Sequence, residues 1–556
     1  MTTARELADE MLTLVLDADP VMATLLGIPG WDNRLPDPSV DGGRVLRARA
    51  EDIARRARAE DDDPVTRAVV VQQAWTLVHR LDSHLVEHTH AEGLSAPLAV
   101  LLAALPLVRP VDDQARQAYL TRLSSLPAYL DALTRRQRDS VRRPLRHLVE
   151  AAAHRIDRYL ADDDDPLGTP LHDTPFVAVC ARLLHETVRP AIARYRDFLR
   201  AELVDRGRGE DQPGLCWLPD GDLIYGDLVG MYTTTGHTPE ELHRIGLDLV
   251  EELDREYEEI GCRVFGPITA AGVRARLLAD PRLRWRGADD MVSLAEATIA
   301  RAEEVADDWF GTVPAARCAV EVVPAAEAPT APLAYYVDPA MDGSRPGTYF
   351  VNTHQAELRE RFSAESTAFH EGVPGHHFQI ALAQQLPDLP LLRRFASIEA
   401  YLEGWALYAE RLADEMGLYS DDVARLGMLS GDSLRAARLV VDTGLHAMRW
   451  TRRQAVDYLR ANAVMPDVDI FSEVDRYIEN PAQALSYMVG RLEIQRLRGV
   501  AERRLGDRFD IKAFHDLVLR GGPLPMAVLA DVVDDWCDSV LGVSRGVVDG
   551  RGVVED

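Results

Sequence analysis

The sequence predicts a mainly α-helical fold with one small β-sheet and a deep cleft between helical halves. Three observations predict it. Apolar residues recur at helical spacing along most of the 556-residue chain. Runs rich in β-branched and aromatic residues are confined to 319–353. Directly after them, Phe369-His370-Glu371-Gly372-Val373-Pro374-Gly375-His376-His377-Phe378 lies between segments of helical pattern, and an acid-bearing helical pattern follows at 399–410.

Taken in order, residues 3–16, 45–58, 64–89, 112–138 and 142–161 each read as an amphipathic helix, punctuated by Pro and acidic turns. The run Asp162 to Asp165, then Pro166-Leu167-Gly168-Thr169-Pro170, is the strongest hinge signal. It divides an N-terminal helical region, 1–165, from a catalytic helical region, 166–556, holding the sheet at 317–353; a solvated loop within one continuous domain fits the same residues. Helical periodicity returns over 175–203. Thr238-Pro239-Glu240-Glu241 opens a helix through Gly261: Thr caps it, Pro suits its first position, and the acids suit its positive end. Another helix covers 292–309. Residues 319–323, 333–337 and 347–353 read as strands. Helices then resume, including 433–450 and one from Pro481 through Arg498, and the Gly- and acid-rich tail 542–556 reads as loose.

Composition narrows the function. Apolar residues at 47% and charged residues at 27% are ordinary globular values. A formal charge of −28 disfavours nucleic acid and anionic membrane surfaces as partners. No apolar run reaches the roughly 18 residues of a membrane span; 98–108 is the longest candidate. The N-terminus lacks a basic start and carries Glu6, Asp9 and Glu10, unlike a secretory leader. Cys180, Cys216, Cys262, Cys318 and Cys537 offer no Cys-x-x-Cys pair, and a reducing cytoplasm is expected. Phosphate-loop, Rossmann and Gly-x-Ser-x-Gly motifs are absent, so nucleotide-dependent and serine-hydrolase readings lack support.

The histidine-rich stretch supplies the ingredients of a hydrolytic zinc site: imidazoles, and a carboxylate beside the first of them. Its spacing departs from His-Glu-x-x-His, in which four residues bring both rings to one helix face. The fourth position after His370 is Pro374. His376 falls off the His370 face of a regular helix, while His377 returns to that face about 10 Å away. An unbroken helix therefore cannot chelate one ion with these residues. Pro374 lacks an N–H, so a break is expected at Gly372–Gly375, swinging a later histidine back towards His370. A polar helix–turn–helix corner without metal fits the same residues. Downstream, Glu399, Glu403 and Glu410 line one helix face. That face is either solvated or part of the site, and Gly404-Trp405 beside Glu403 favours the latter.

His370-Glu371-x-x-Pro374-Gly375-His376-His377, Glu403-Gly404-Trp405-Ala406, Tyr487-x-x-Gly490 and Arg498 together resemble the bacterial family catalogued as domain of unknown function 885, over most of the chain. That family is similar to the helical zinc carboxypeptidases of the Taq type and to the thimet-oligopeptidase group, which carry His-Glu-x-x-His and a later Glu ligand. The resemblance implies a metallopeptidase-like fold, Zn2+ held by His370, His376 and Glu403, and Glu371 as general base. Two residues are inserted relative to those peptidases, which leaves His377 as the rival ligand or a substrate-side group.

Five further residues join the candidates, Tyr487 on the catalytic side and the others on the substrate side. Tyr487 is positioned either as a phenol donor to an oxyanion or as a core tyrosine. Arg438 and His446 share a helix face with Asp442; Arg438 either clasps a substrate carboxylate or pairs with Asp442. Arg498 comes from the motif set. Tyr349 lies on the third strand, in a sheet whose edge suits an extended peptide. The expected function is a zinc-dependent, carboxypeptidase-like hydrolase of peptides or related amides, with a peptide or small amide as substrate and a homodimer compatible with the chain. The rivals are a peptide- or ligand-binding protein on a degenerate peptidase fold, and a metal-dependent hydrolase of a non-peptide amide or ester.

Overall fold

Helical spacing of apolar residues, with side-chain caps at many starts, turns most of the chain into helices. The computed structural model describes residues 3–60, 62–93, 95–324, 328, 331–339 and 345–543. Its first helix, Ala4–Ala18, starts at a capping box. The Thr3 hydroxyl accepts from the Glu6 N–H, and the Glu6 carboxylate accepts from the Thr3 N–H. Thr238 and Glu241 start Pro239–Phe265 in the same way.

Several expected helices differ in extent. The pattern at 64–89 forms Pro64–Asp82 and Leu85–His88, separated where His84 takes the left-handed conformation at φ 55°. The one at 112–138 forms Asp113–Ser124 and Leu126–Asp139, because Pro127 has no N–H to continue the ladder. The helix expected at 433–450 is Asp422–His446, begun earlier by the Asp421 cap. Residues 162–170 form a bend and a short 3₁₀ helix, Pro166–Leu171. Of the tail, 544–556 lies outside the described residues.

Three short strands, β1 (Ala319–Val322), β2 (Ala334–Val337) and β3 (Thr348–Val351), form a sheet in the order β1-β3-β2. The central strand, β3, pairs parallel with β1 and antiparallel with β2, so Val320 and Tyr336 both flank Tyr349. Tyr349 and Val351 are buried with Ile299 and Ala302 of the helix Ala288–Trp309 and with Ala368 and Phe369 of the motif helix. The sheet thus rests beside the histidine-rich stretch.

Buried residues group into four clusters. One joins the N-terminal half to later helices: Leu120, Leu148 and Ile192 pack with Leu445 and Tyr477. A second surrounds the motif helix, and a third sets 215–277 against 426–439 and 482–489. The fourth packs the first helices onto Leu392. Among the described residues no helix is long and apolar enough to cross a membrane.

Candidate metal centre

The helix Ala364–Glu371 stops at Gly372, and a new one, His376–Gln384, begins after Gly375. The Val373–Pro374 peptide between them is cis. A side chain at 375 would meet the His370 carbonyl oxygen at 1.9 Å, so only glycine lets the chain pass this close to the preceding helix end. The break places His376 at the start of one helix opposite His370 in the last turn of the other. Their ring centroids are 4.9 Å apart and nearly perpendicular, at 89°.

The third donor comes from the helix Glu399–Glu415. Buried Trp405 donates its indole N–H to the Pro374 carbonyl at 2.9 Å, fastening that helix to the break. Its other side lies against the helix Ser486–Leu505 at Gly404 and Gly490. A side chain at 490 would sit 1.8 Å from the Ala400 carbonyl oxygen. So close a crossing sets Glu403 across from the two histidines and brings Tyr487, one turn before Gly490, into the same neighbourhood.

Glu403 Oε2 lies 3.5 Å from His370 Nε2 and 3.4 Å from His376 Nε2, and ligand atoms of all three residues fall within 4.8 Å of one another. Zinc bonds of 2.0–2.1 Å in a tetrahedron set ligand atoms about 3.3 Å apart. These two separations match that edge. They are long for hydrogen bonds, and among the described residues Glu403 Oε2 is buried without a hydrogen-bond partner, as is His376 Nδ1. Two imidazoles and a carboxylate are also the donor types that zinc takes, so the residues fit the ion.

Glu410, two turns on from Glu403 on the same helix face, accepts from His370 Nδ1–H at 2.8 Å. That bond places the proton on Nδ1 and leaves Nε2 facing Glu403 and His376. Burial lowers the His370 pKa, but the Glu403 and Glu410 carboxylates outweigh it and hold it up at about 9. Burial likewise raises Glu403, yet His370 and His376 keep its carboxyl well below the usual range. The acidic face of this helix therefore points inward, with Glu410 only 1% exposed. Glu399 is held by Ser397 and Gln483.

The other candidates divide into two groups. Glu371 is half-buried at the end of the motif helix, and its charge, after burial, raises the Tyr349 phenol. Tyr349 itself is 3% exposed on the central strand, away from the sheet edges. Tyr487 has no hydrogen bond to its hydroxyl among the described residues; burial and then the Glu403 charge push its pKa up to about 12. The Arg438 guanidinium lies 4.7 Å from the Tyr487 ring centroid. It pairs with Glu473 at 2.9 Å, not with Asp442, which instead accepts from the Tyr225 hydroxyl and the Ala482 N–H.

Three candidates are engaged elsewhere. The Tyr336 hydroxyl donates to His377 Nδ1 and His377 Nε2–H donates to the Ala316 carbonyl, each at 3.0 Å, so this ring pins its helix to the sheet side. In His446 the Leu215 N–H donates to Nδ1, and Nε2–H donates to the Tyr477 carbonyl; burial lowers its pKa to about 4. Arg498 forms a fork to Glu415 at 3.1 and 2.8 Å, with a further bond to Glu502. Sequence reasoning did not assign Glu410 its hold on His370, although its spacing of seven from Glu403 was the available signal. It also passed over Arg435, three residues before Arg438 on the same helix.

The fold has solved counterparts. The "putative lipoprotein from Colwellia psychrerythraea" superposes with a TM-score of 0.89 at 26% identity, covering 97% of this chain and all of that one. A "putative lipoprotein of unknown function from Shewanella oneidensis" gives 0.76 at 19% identity, over 96% of this chain and 100% of the other. No curated protein matches the sequence. The pattern described as "Bacterial protein of unknown function (DUF885)" matches residues 20–533, nearly the whole chain, and the protein belongs to that family.

Proposed function

We propose that this protein is a zinc-dependent hydrolase of peptides or related amides, carboxypeptidase-like in mode, with its substrate in a cleft at the His370 helix. The observation that carries the reading is the convergence of His370, His376 and Glu403 within 4.8 Å around a buried carboxylate oxygen that no hydrogen bond satisfies. Bound there, zinc would polarise an amide carbonyl and lower the pKa of a coordinated water to about 7. Glu371, beside His370, acts as the general base. Glu410 orients the His370 ring through Nδ1, and Tyr487, kept protonated by its raised pKa, donates to the carbonyl oxygen as negative charge develops on it.

One observation favours a second reading. His370 lies between two carboxylates, and a protonated ring there ion-pairs with both without a metal, as a peptide-binding protein on a degenerate peptidase fold would have it. Elemental analysis of the purified chain after zinc dialysis, with a peptide-library digest and a panel of non-peptide amides and esters, separates the readings. One zinc per chain, lost in His370→Ala and Glu403→Ala, together with cleavage of peptides, is expected. A folded protein that takes up no zinc overturns the hydrolase. As to location, five unpaired cysteines support a reducing compartment, whereas the lipoprotein names of the two similar structures favour the cell envelope. Fractionating cells that express the intact gene decides this.

A further inference from the structure

Beside Tyr487 the chain gathers three arginines around two tyrosine rings. Arg438 and Arg435 lie 4.7 and 5.8 Å from its ring centroid, both from the helix Asp422–His446. Arg476, on the neighbouring helix Asp467–Glu479, lies 5.1 Å from the Tyr477 ring, which Arg438 also flanks at 5.9 Å. A single carboxylate serves this group. Glu473 accepts from Arg438 at 2.9 Å and from Arg476 at 3.1 Å, and the Tyr477 hydroxyl donates to it as well. Arg435 has no acidic partner among the described residues; its Nη1 reaches only the Gly431 carbonyl, at 3.3 Å.

Three guanidinium groups thus share one ion-pairing carboxylate among the described residues, in a chain of net charge −28 where acids abound and a poorly paired buried cation is costly. Arg438 is 7% exposed, yet among the described residues its Nη1 has no acceptor, and neither has Nε of Arg435. The ring of Tyr487 holds the Arg438 guanidinium in place by cation–π attraction without using any of its N–H groups. The group adjoins the His370 cluster. The point where a side chain at Gly431 would begin lies 3.1 Å from Arg435 Nη1 and 3.1 Å from Glu410 Oε2, on the carboxylate that grips His370.

We propose that Arg435 and Arg438 form a carboxylate-binding subsite beside the His370–His376–Glu403 cluster, so that the substrate is an amide bearing a free carboxylate close to the bond that is cut. Guanidinium suits this because its planar N–H fork matches a carboxylate edge to edge. The inference rests on the hydrolase reading for the cutting but not for the binding. The carboxylate has two sources, the α-carboxylate of a peptide C-terminus or the side chain of an acidic residue.

Three probes distinguish them: N-acetyl-Ala-Ala, its C-terminal amide, and N-acetyl-Ala-Glu with the C-terminus amidated. Each is titrated calorimetrically into the full chain, zinc-dialysed and chelator-treated. At least one acid binds about tenfold or more tightly than the neutral amide in both preparations, and which acid does so names the source. Arg435→Gln reduces that preference to about threefold or less while keeping the melting temperature, since this side chain leaves no acid behind. Arg438→Lys, which retains charge but not the fork, also weakens the acid. Equal binding of all three probes, binding of neither acid, or a preference that survives in Arg435→Gln overturns the subsite. A preference in protein that neither takes up zinc nor cleaves peptides keeps the subsite and removes the hydrolase; cleavage without preference does the reverse.

Discussion

Replacing Glu410 with Gln tests the metal centre through a residue that does not bind the ion. The Glu410 carboxylate is 1% exposed and accepts from His370 Nδ1 at 2.8 Å. Gln keeps the shape and one acceptor oxygen, so the ring holds its orientation and tautomer, but the negative charge that makes Nε2 a stronger donor is gone. Partners of this kind are worth 10–100-fold in metal affinity, or about 1.4–2.8 kcal/mol. Chelator competition measures the zinc Kd directly. Thermal denaturation gives an independent value: at a zinc concentration 100 times the Kd, the ion stabilises the wild-type chain by about 2.7 kcal/mol. The same concentration only equals the Kd of a variant weakened a hundredfold, and adds about 0.4 kcal/mol. Glu410→Gln should therefore lose most of its zinc-dependent rise in Tm. Equal zinc affinity in the two proteins, with unchanged circular dichroism, would refute the argument that Glu410 supports the ligand.

Four other outcomes follow from the same geometry. Glu371→Gln should abolish turnover while retaining one zinc per chain; substantial residual hydrolysis removes Glu371 from the base role. His377→Gln should keep zinc stoichiometry but cost about 1–3 kcal/mol in denaturant unfolding, because the Tyr336 hydroxyl and Ala316 carbonyl lose their partner; loss of zinc would instead make His377 a ligand. Gly490→Ala forces a methyl group to within 1.8 Å of the Ala400 carbonyl, so the Glu403 helix must shift, with a loss of about 1–3 kcal/mol or more and weaker zinc binding; an unchanged Tm contradicts the close crossing. Burial raises the Asp442 pKa to about 7, against roughly 4 in an unfolded chain. The proton it holds in the folded state stabilises fully below about pH 4, and that contribution is lost as the pH rises through 7. Asp442→Asn, followed by urea unfolding across this window, should lose less stability than wild type between pH 4 and 7, and parallel curves would refute the assignment.

Local chemistry made much of this protein legible in advance. The capping boxes at Thr3 and Thr238, the three strands between 319 and 353, and the break at Gly372–Gly375 each arise from side chains acting on their own backbone, within a few residues. So does the inward face carrying Glu403 and Glu410, since their spacing places them on one side of whatever helix forms. Tertiary structure decided what spacing leaves open. His376 rather than His377 faces His370, because the Pro374–Gly375 turn sets where the second helix starts and the sheet side claims both nitrogens of His377. Arg438 pairs with Glu473, and His446 caps a distant loop, although both share a face with Asp442. One sequence position can offer a donor, but the direction and company of that donor depend on helices far apart in the chain meeting at glycine contacts such as Gly404 on Gly490, where the backbones approach only because no side chain intervenes.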